Sequence, residues 1–407
     1  MKKFEIPSVY RSPIISKIKE YRKDGDKLKK DFQPTSIDFG SVRFHLARHF
    51  GFCYGVENAI EIVYRVIQEN PNKRIFLLSE MIHNPKVNQD LLDEGVQFLH
   101  DTLGNELVPW DSLTKQDIVV VPAFGTTVET FAKIKSIGLE SHEYNTTCPF
   151  VEKVWKRAEK LGKDDSSIII HGKRNHEETR ATFSHAQRSS PTLIVQNLAE
   201  TEFLAEVIKG NKSIDEFEVF FNGYYSDGFN AVEDLKKIGV INQTTMLATE
   251  TQYIADFLKA AITDKYGKEE ATKHFADTRD TLCYATSDNQ GAVYGMLERK
   301  ADFALVIGGY NSSNTSHLVE LCEEKLPTYF ISGAEKIISK NEIEHFDSHN
   351  TRIKNTLSFI PQKEKVEVLI TSGASCPDAI VEEVIVKLKN MFDDTISEEA
   401  VLERFGG

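Results

Sequence analysis

The run Cys148-Pro149-Phe150-Val151-Glu152-Lys153-Val154-Trp155-Lys156-Arg157-Ala158, followed by Ser167-Ile168-Ile169-Ile170 and then Asn175-His176-Glu177-Glu178-Thr179, decides the fold class. Val151, Val154, Trp155 and Ala158 recur with the period of a helix and predict one amphipathic face. Ser167–Ile170 is short, apolar and rich in β-branched residues, which predicts a buried strand. The polar segment 175–179 then opens a second helix, and Thr192–Val195 reads as the next strand. A further strand at Val240-Ile241 ends in Asn242-Gln243-Thr244-Thr245.

The same order of signals occurs twice more. A β-like run over 42–52 precedes Cys53, and Val56, Ile60, Val63 and Ile67 mark the helix after it. After Cys283 the helical stripe is Ala292, Val293, Met296 and Leu297. Strands are predicted at Arg74–Leu78, Val96–Leu99 and Ile118–Pro122, and at Phe303–Ile307, Thr328–Ile331 and Val368–Ile370. Their polar ends are His83-Asn84-Pro85 and Phe124-Gly125-Thr126-Thr127, and Asn311-Ser312-Ser313-Asn314-Thr315 and Thr371-Ser372-Gly373-Ala374-Ser375. The chain therefore reads as three similar strand–helix modules of about four strands each.

Cys53 and Cys148 lie 95 residues apart, Cys148 and Cys283 135 apart. The surplus fits a weakly periodic insertion near 209–237. The expected division is an N-terminal arm (1–41), module 1 (42–147), module 2 (148–282), module 3 (283–390) and a tail (391–407). The third module lacks a closing strand, and the run before Cys53 is expected to supply it.

Alternating strands and helices make this an α/β protein with parallel sheets, whose ligands sit beyond the C-terminal strand ends. A pseudo-threefold arrangement would bring the three cysteines to one centre. With 407 residues, 40% of them hydrophobic, the chain is long enough for more than one core. No apolar run approaches the ~20 residues of a membrane helix. No secretory or transit segment is read at the N-terminus, so the expected location is cytoplasmic. A net charge of −13 argues against nucleic acid as a partner. Five cysteines without a CxxC pair argue against zinc ribbons and a disulfide framework.

Three converging thiolates suit an iron–sulfur cluster with one open iron, or a Lewis-acidic zinc. Ser312, Ser313, Asn314 and Ser375 stand at strand-to-helix turns, where backbone N–H groups favour an anion and where Ser and Asn also serve as plain caps. His83 and His176 open second helices in two modules and suit the same anion. Glu178 is the candidate acid, because a carboxyl in a water-poor cavity holds its proton more tightly. Glu177 faces elsewhere on that helix.

The motifs Gly51-Phe52-Cys53-x-Gly55-Val56, His83-Asn84, Thr147-Cys148-Pro149, His176-Glu177-Glu178-Thr179, Gln243-Thr244-Thr245, Cys283-x-Ala285-Thr286, Asn311-Ser312-Ser313-Asn314 and Ser372-Gly373-Ala374-Ser375-x-Pro377-Asp378 resemble, in order, those of the IspH/LytB family. The resemblance runs from about Ser41 to Leu388. It implies a three-module trefoil around a 4Fe–4S cluster on Cys53, Cys148 and Cys283. It implies reductive dehydroxylation of 4-hydroxy-3-methylbut-2-enyl diphosphate to isopentenyl and dimethylallyl diphosphates, the last step of the methylerythritol phosphate route to isoprenoids. Glu178 would then be the proton donor and Thr244 the neighbour of the allylic hydroxyl. His83, His176, Thr245, Ser312, Ser313, Asn314 and Ser375 would hold the diphosphate. Ferredoxin or flavodoxin would supply electrons, and a homodimer is the assembly left open.

Phe124 departs from this pattern. Many bacterial members carry histidine there, so one diphosphate donor is missing or replaced, with Thr126 or Thr127 as candidates. Pro122-Ala123-Phe124-Gly125 and the longer arm resemble the plant and cyanobacterial branch. Basic clusters at Lys17–Lys19 and Lys27–Lys30 mark that arm, which is expected to hold a solvated helix packed on the body or on a partner subunit. Cys322 reads as core, and Cys376 is given no role. Two rivals remain: quinolinate synthase, which resembles this three-module, three-cysteine design, and a metal-dependent sensor or scaffold.

Overall fold

The computed structural model describes residues 4–26, 30–139, 144–276 and 280–405. Of the expected basic cluster Lys27–Lys30, residues 27–29 lie outside the described residues. The chain divides into two compact units. The first takes in Met1–Glu61, Ile82–Asp90 and Tyr284–Gly407, the second Ile62–Met81 and Leu91–Cys283.

In the first unit the arm forms α1 (Pro13–Gly25), capped by the Ser12 hydroxyl, which accepts the Ile15 N–H at 2.8 Å. Ile15 and Ile18 are buried. Two strands follow, β1 (Thr35–Asp38) and β2 (Val42–Leu46), paired antiparallel. Helix α2 (Tyr54–Glu69) starts directly after Cys53, and α3 (Pro85–Asp93) after Asn84.

In the second unit β3 (Ile75–Leu77), β4 (Gln97–Phe98) and β5 (Ile118–Val120) form a parallel sheet in the order β4-β3-β5. Helix α4 (Val128–Ile137) leaves this sheet from a Thr127 cap. Among the described residues the run before Cys148 joins this sheet through one parallel bridge, Val121 with Asn145.

Helix α5 (Pro149–Lys163) buries Val151, Val154, Ala158 and Leu161, and α6 (Glu177–Ala186) follows β6 (Ser167–His171). With β7 (Thr192–Val195), β8 (Ile238–Asn242) and β9 (Phe275–Ala276), β6 forms an all-parallel sheet in the order β7-β6-β8-β9. The expected weakly periodic insertion is helical: α7 (Leu198–Lys209) is followed by α8 (Ile214–Phe220) and α9 (Ala231–Asp234). Aromatic residues make it compact. Phe217 and Phe221 are fully buried and pack with Tyr225 and Phe229. Each buried Phe contributes roughly 1.5–3 kcal/mol, which fixes short helices that their periodicity alone does not reveal. Helices α10 (Ala248–Tyr266) and α11 (Ala271–His274) complete this unit.

Back in the first unit, α12 (Tyr284–Met296) follows Cys283, and β10 (Phe303–Ile307) leads to α13 (Ser313–Glu323). Beyond it lie β11 (Thr328–Ile331), β12 (Ile337–Ser339), β13 (Glu342–Asp347), β14 (Arg352–Leu357) and β15 (Val366–Ser372). The centre of this sheet runs β11-β10-β15-β2 with every pair parallel. Residues 42–46 do therefore close the C-terminal module's sheet, in register with Val366–Ile370. The sheet is mixed at its margins rather than wholly parallel. The four residues between β13 and β14 can join only antiparallel strands. Helices α14 (Asp378–Lys389) and α15 (Glu398–Leu402) end the chain, with α14 packed on α1 and Lys19 paired with Asp378 at 2.7 Å.

The three parallel ladders share one order: second strand, first, third, then the segment that carries a cysteine. Each cysteine thus ends a sheet built from the preceding module instead of opening its own.

Candidate functional site

Cys53, Cys148 and Cys283 are half-buried, whereas Cys322 and Cys376 are fully enclosed. Each half-buried cysteine is fixed by the same backbone bond. Cys53 N–H donates to Ala374 O at 3.2 Å, Cys148 N–H to Ala123 O at 3.0 Å, and Cys283 N–H to Thr244 O at 3.2 Å. All three carbonyls belong to the turn after the third strand of the sheet the cysteine completes. The helices then start at once: the Cys53 carbonyl accepts from Glu57 N–H at 2.9 Å, and the Cys148 carbonyl from Val151 N–H at 2.9 Å. A sulfur at a helix start faces unpaired N–H groups, which favour its thiolate.

In the first unit the turn 373–375 gathers the expected anion-binding residues. Ala374 N–H donates to Asn314 Oδ1 at 2.9 Å, and the Ser375 hydroxyl to His83 O at 3.1 Å. Asn314 is held from its other side by Asn289 and Thr286, both buried. Ser312 caps α13, accepting from Thr315 N–H at 3.3 Å. The Ser313 hydroxyl is buried without a hydrogen-bond partner among the described residues. A side chain at residue 373 would not fit, because an added Cβ would lie 1.9 Å from Thr315 Oγ1. A cavity of about 870 Å³ in the same unit reaches Cys53, Glu57, Lys19, Arg48 and Tyr284.

In the second unit Thr244 is the hub. Its N–H donates to Glu178 Oε1 at 2.5 Å and its hydroxyl to Glu178 Oε2 at 2.9 Å, while its carbonyl holds Cys283. Glu178 is 1% exposed. Gln243 ties the surrounding loops together, accepting from Lys173 N–H and the Thr179 hydroxyl and donating to Thr245 Oγ1 at 2.6 Å. His176 caps α6, its Nδ1 accepting the Glu178 N–H at 3.2 Å. Glu177 points elsewhere, as its helical position requires, and accepts from Ser79. Burial pushes the Cys148 thiol up to about 11, and the nearby Cys283 and Glu178 add to that push. Burial likewise raises Cys322 to about 12. A thiol in Cys148's position carries charge only when a cationic group compensates it.

The expected site residues therefore form two clusters. Cys53, His83, Ser312, Ser313, Asn314 and Ser375 belong to the first unit; Cys148, His176, Glu178, Thr244, Thr245 and Cys283 belong to the second. Among the described residues no three His, Cys, Asp or Glu side chains are grouped closely enough to hold a metal ion. Sequence reasoning missed Gln243, Asn289 and Thr286 as organisers. Gln243 and Thr286 stood in two quoted motifs, Gln243-Thr244-Thr245 and Cys283-x-Ala285-Thr286, whereas Asn289 lies in neither. Of the two replacements considered for the missing histidine, the Thr127 oxygen is committed to capping α4.

The family model described as LytB protein matches residues 44–389. The chain belongs to the LytB family. It is similar to three curated cyanobacterial proteins named 4-hydroxy-3-methylbut-2-enyl diphosphate reductase. The one from Synechococcus sp. is 38% identical, covering 94% of this chain and 91% of the relative. The relative from Trichodesmium erythraeum is 37% identical over 94% and 90%. The relative from Prochlorococcus marinus is 39% identical over 89% and 88%. Two solved structures share the fold at 21% identity. One, of a reductase titled the terminal enzyme of the non-mevalonate pathway, has a TM-score of 0.51 and covers 85% of this chain and 98% of that one. The other, the E-1-hydroxy-2-methyl-but-2-enyl-4-diphosphate reductase from Plasmodium falciparum, has a TM-score of 0.62 and covers 87% and 89%. Among the described residues no helix is long and apolar enough to cross a membrane.

Proposed function

We propose that this chain is a 4-hydroxy-3-methylbut-2-enyl diphosphate reductase, removing the allylic hydroxyl as water with two electrons and two protons to give isopentenyl and dimethylallyl diphosphates. The observation that carries the reading is the bond pattern around Thr244, where one residue anchors Cys283 and grips both oxygens of a buried carboxyl. An anion-sensing scaffold has no need of that pairing.

The donor set fits a 4Fe–4S cluster: three half-buried thiols at helix starts, each set by the same backbone bond, and two others sealed in the core. Cys53, Cys148 and Cys283 would hold the cluster, in a trefoil of modules 42–147, 148–282 and 283–390. When bound, such a cluster supplies electrons one at a time and an open iron that accepts oxygen. A ferredoxin or flavodoxin is the proposed donor, a homodimer the proposed assembly and the cytoplasm the proposed location.

Protein groups do the rest. A proton on Glu178 Oε2 can pass to Thr244 Oγ1, 2.9 Å away, as that hydroxyl releases its own. Glu178 is therefore the proposed proton donor, with Thr244 beside the leaving hydroxyl. The Ser312, Ser313 and Ser375 hydroxyls, the Asn314 amide, the Thr245 hydroxyl and the rings of His83 and His176 are the proposed diphosphate donors. His83, Ser312, Ser313, Asn314 and Ser375 are buried, which excludes water that would compete for the phosphate oxygens. The test is anaerobic: assay iron and sulfide, then add the hydroxylated diphosphate with reduced methyl viologen. Both isoprenoid diphosphates are expected. A bound cluster that oxidises no viologen on addition of this substrate would refute the reading.

A further inference from the structure

Two of the three cysteine segments carry a threonine two residues before the cysteine, and both threonines make the same bond. Ahead of Cys148 the Thr146 hydroxyl donates to Val121 O at 2.6 Å, and ahead of Cys283 the Thr281 hydroxyl donates to Asn242 O at 2.9 Å. Each of those carbonyls lies two residues before the one that accepts the cysteine N–H, Ala123 or Thr244. The lead-in and the cysteine are thus tied to one short stretch at the end of the third strand.

Gly51 stands at this place ahead of Cys53 and has no hydroxyl to offer. An ion pair from outside the repeat lies over it instead. Lys19, on α1 of the arm, donates to Phe50 O at 3.0 Å and to the two Asp378 carboxylate oxygens at 2.7 and 2.9 Å. These contacts use all three ammonium donors. Lys19 therefore joins residue 50 to residue 378, while the Cys53 N–H joins residue 53 to Ala374. The cysteine loop is held at both ends to one segment, 374–378. Gly51 has φ +81°, and a Cβ there would run into Asp378 Oδ1, so the pair rests on bare backbone. Two more arm side chains meet the same loop edge-on, Tyr10 on Phe52 at 5.8 Å and Phe4 on Tyr54 at 4.9 Å.

We infer that Lys19 is a positioning residue for Cys53: its ion pair with Asp378 takes the place of the threonine bond made ahead of the other two cysteines and fixes the loop 50–53. This rests on the reading that Cys53 is a cluster ligand. Lys19 acts through the backbone of Phe50 and touches no reacting atom. Its loss should loosen the hold on Cys53 and leave the anchors of Cys148 and Cys283 as they are.

The test compares Lys19→Met, which keeps the stem without the ammonium, with Asp378→Asn, which keeps the shape of the carboxyl without its charge, and with the double variant. The two single variants are run together so that one folding failure leaves the other informative. In the cluster-free full chain, hydrogen exchange at the Cys53 N–H should quicken about three- to fivefold in either single variant, the size of a partly exposed ion pair. Exchange at the Cys148 and Cys283 N–H groups should stay at the parent rate. The double variant should exchange no faster than Lys19→Met, because the two residues act as one unit. In cluster-loaded protein, release of iron to a chelator should quicken by a similar factor in all three variants. Parent-like exchange at Cys53 overturns the proposal, and so does equal acceleration at all three cysteines, which a merely structural pair would give. Additive effects in the double variant overturn the pairing of Lys19 with Asp378. Faster exchange with parent-like iron release overturns the link to the cluster. If the parent chain takes up no cluster, the iron–sulfur reading above fails, and exchange at Cys53 still decides whether Lys19 holds the loop.

Discussion

Replacing Glu178 by glutamine separates proton delivery from architecture. The carboxyl accepts two donors from one residue, Thr244 N–H at 2.5 Å and Thr244 Oγ1–H at 2.9 Å. In Glu178→Gln the amide oxygen keeps the first bond. The amide NH₂ then faces a hydroxyl that can rotate to accept from it. The net structural loss is the charge assistance of both hydrogen bonds, about 1–2 kcal/mol. In a chain of this size that corresponds to a fall in Tm of no more than about 2–4 °C. The chemical loss is far larger, because an amide has no proton to give at neutral pH. A positioned general acid contributes about 10²–10⁴-fold, or roughly 3–5 kcal/mol of barrier. The assay is substrate-dependent oxidation of reduced methyl viologen, with iron, sulfide and Tm measured on the same sample. Turnover should drop by that factor while iron content stays at the parent level. A variant within about threefold of the parent, with its cluster intact, would remove Glu178 from the reaction. A variant that loses its iron would show that the carboxyl supports the cysteine loops instead, since Thr244 also anchors Cys283.

Gly373→Ala should expel the turn that seats Cys53, because the new Cβ lies 1.9 Å from the fully buried Thr315 Oγ1. A cost of about 1–3 kcal/mol is expected, read as a lower Tm, and adding Thr315→Ala should recover most of it; no recovery would place the strain elsewhere. Asp117 accepts from Arg74 Nε at 2.8 Å, Arg74 Nη2 at 2.6 Å and Thr114 N–H at 2.7 Å. Burial alone would raise this carboxyl, but those donors outweigh it and hold its pKa below the usual range. Its stabilisation is thus complete above the unfolded value of about 3.9 and fades as pH falls through the lower folded value. Asp117→Asn should cost about 2–3 kcal/mol at pH 7, with the Tm gap to the parent closing at strongly acid pH; a gap that stayed constant would rule out the ion pair as its cause.

The α/β class and the helices after each cysteine were legible from local periodicity, and the use of residues 42–46 to close the C-terminal sheet was legible from the repeat, whose third copy lacks a closing strand. Val151, Val154 and Ala158 are buried on one face of α5 as their spacing requires. Less legible was anything settled by packing or by backbone geometry. The insertion after α7 lacks a clear period, yet Phe217 and Phe221 fold it around one aromatic cluster. Among the described residues the run before Cys148 joins the first parallel ladder through a single bridge at Asn145, a contact that leaves no trace in residue type. Nor could spacing reveal that Asn289 and Thr286, on α12, brace Asn314 at the start of α13. Gln243 was visible as part of a motif that includes its partner Thr245, whereas its other partners, Lys173 and Thr179, lie 70 and 64 residues earlier in the chain.

The three cysteine anchors explain why a repeated scaffold can carry an unrepeated chemistry. Each anchor acts through its carbonyl oxygen, so the side chain at that position is free to vary. In two of the three turns it is alanine, Ala123 and Ala374; in the third it is Thr244. The backbone of Thr244 performs the common task of holding a cysteine. Its N–H is directed at Glu178 as the Ala374 N–H is at Asn314, and its hydroxyl, which neither alanine has, adds a second bond to the same carboxyl. Glu178 in turn is supplied by the first turn of α6, where the equivalent segments elsewhere offer His83-Asn84-Pro85 and Ser312-Ser313-Asn314. Duplication of a module fixes where cysteines and helix starts fall. Placing a carboxyl and a hydroxyl in only one copy confines the proposed proton chemistry to that copy and leaves the C-terminal module and the turn around His83 for the proposed diphosphate contacts.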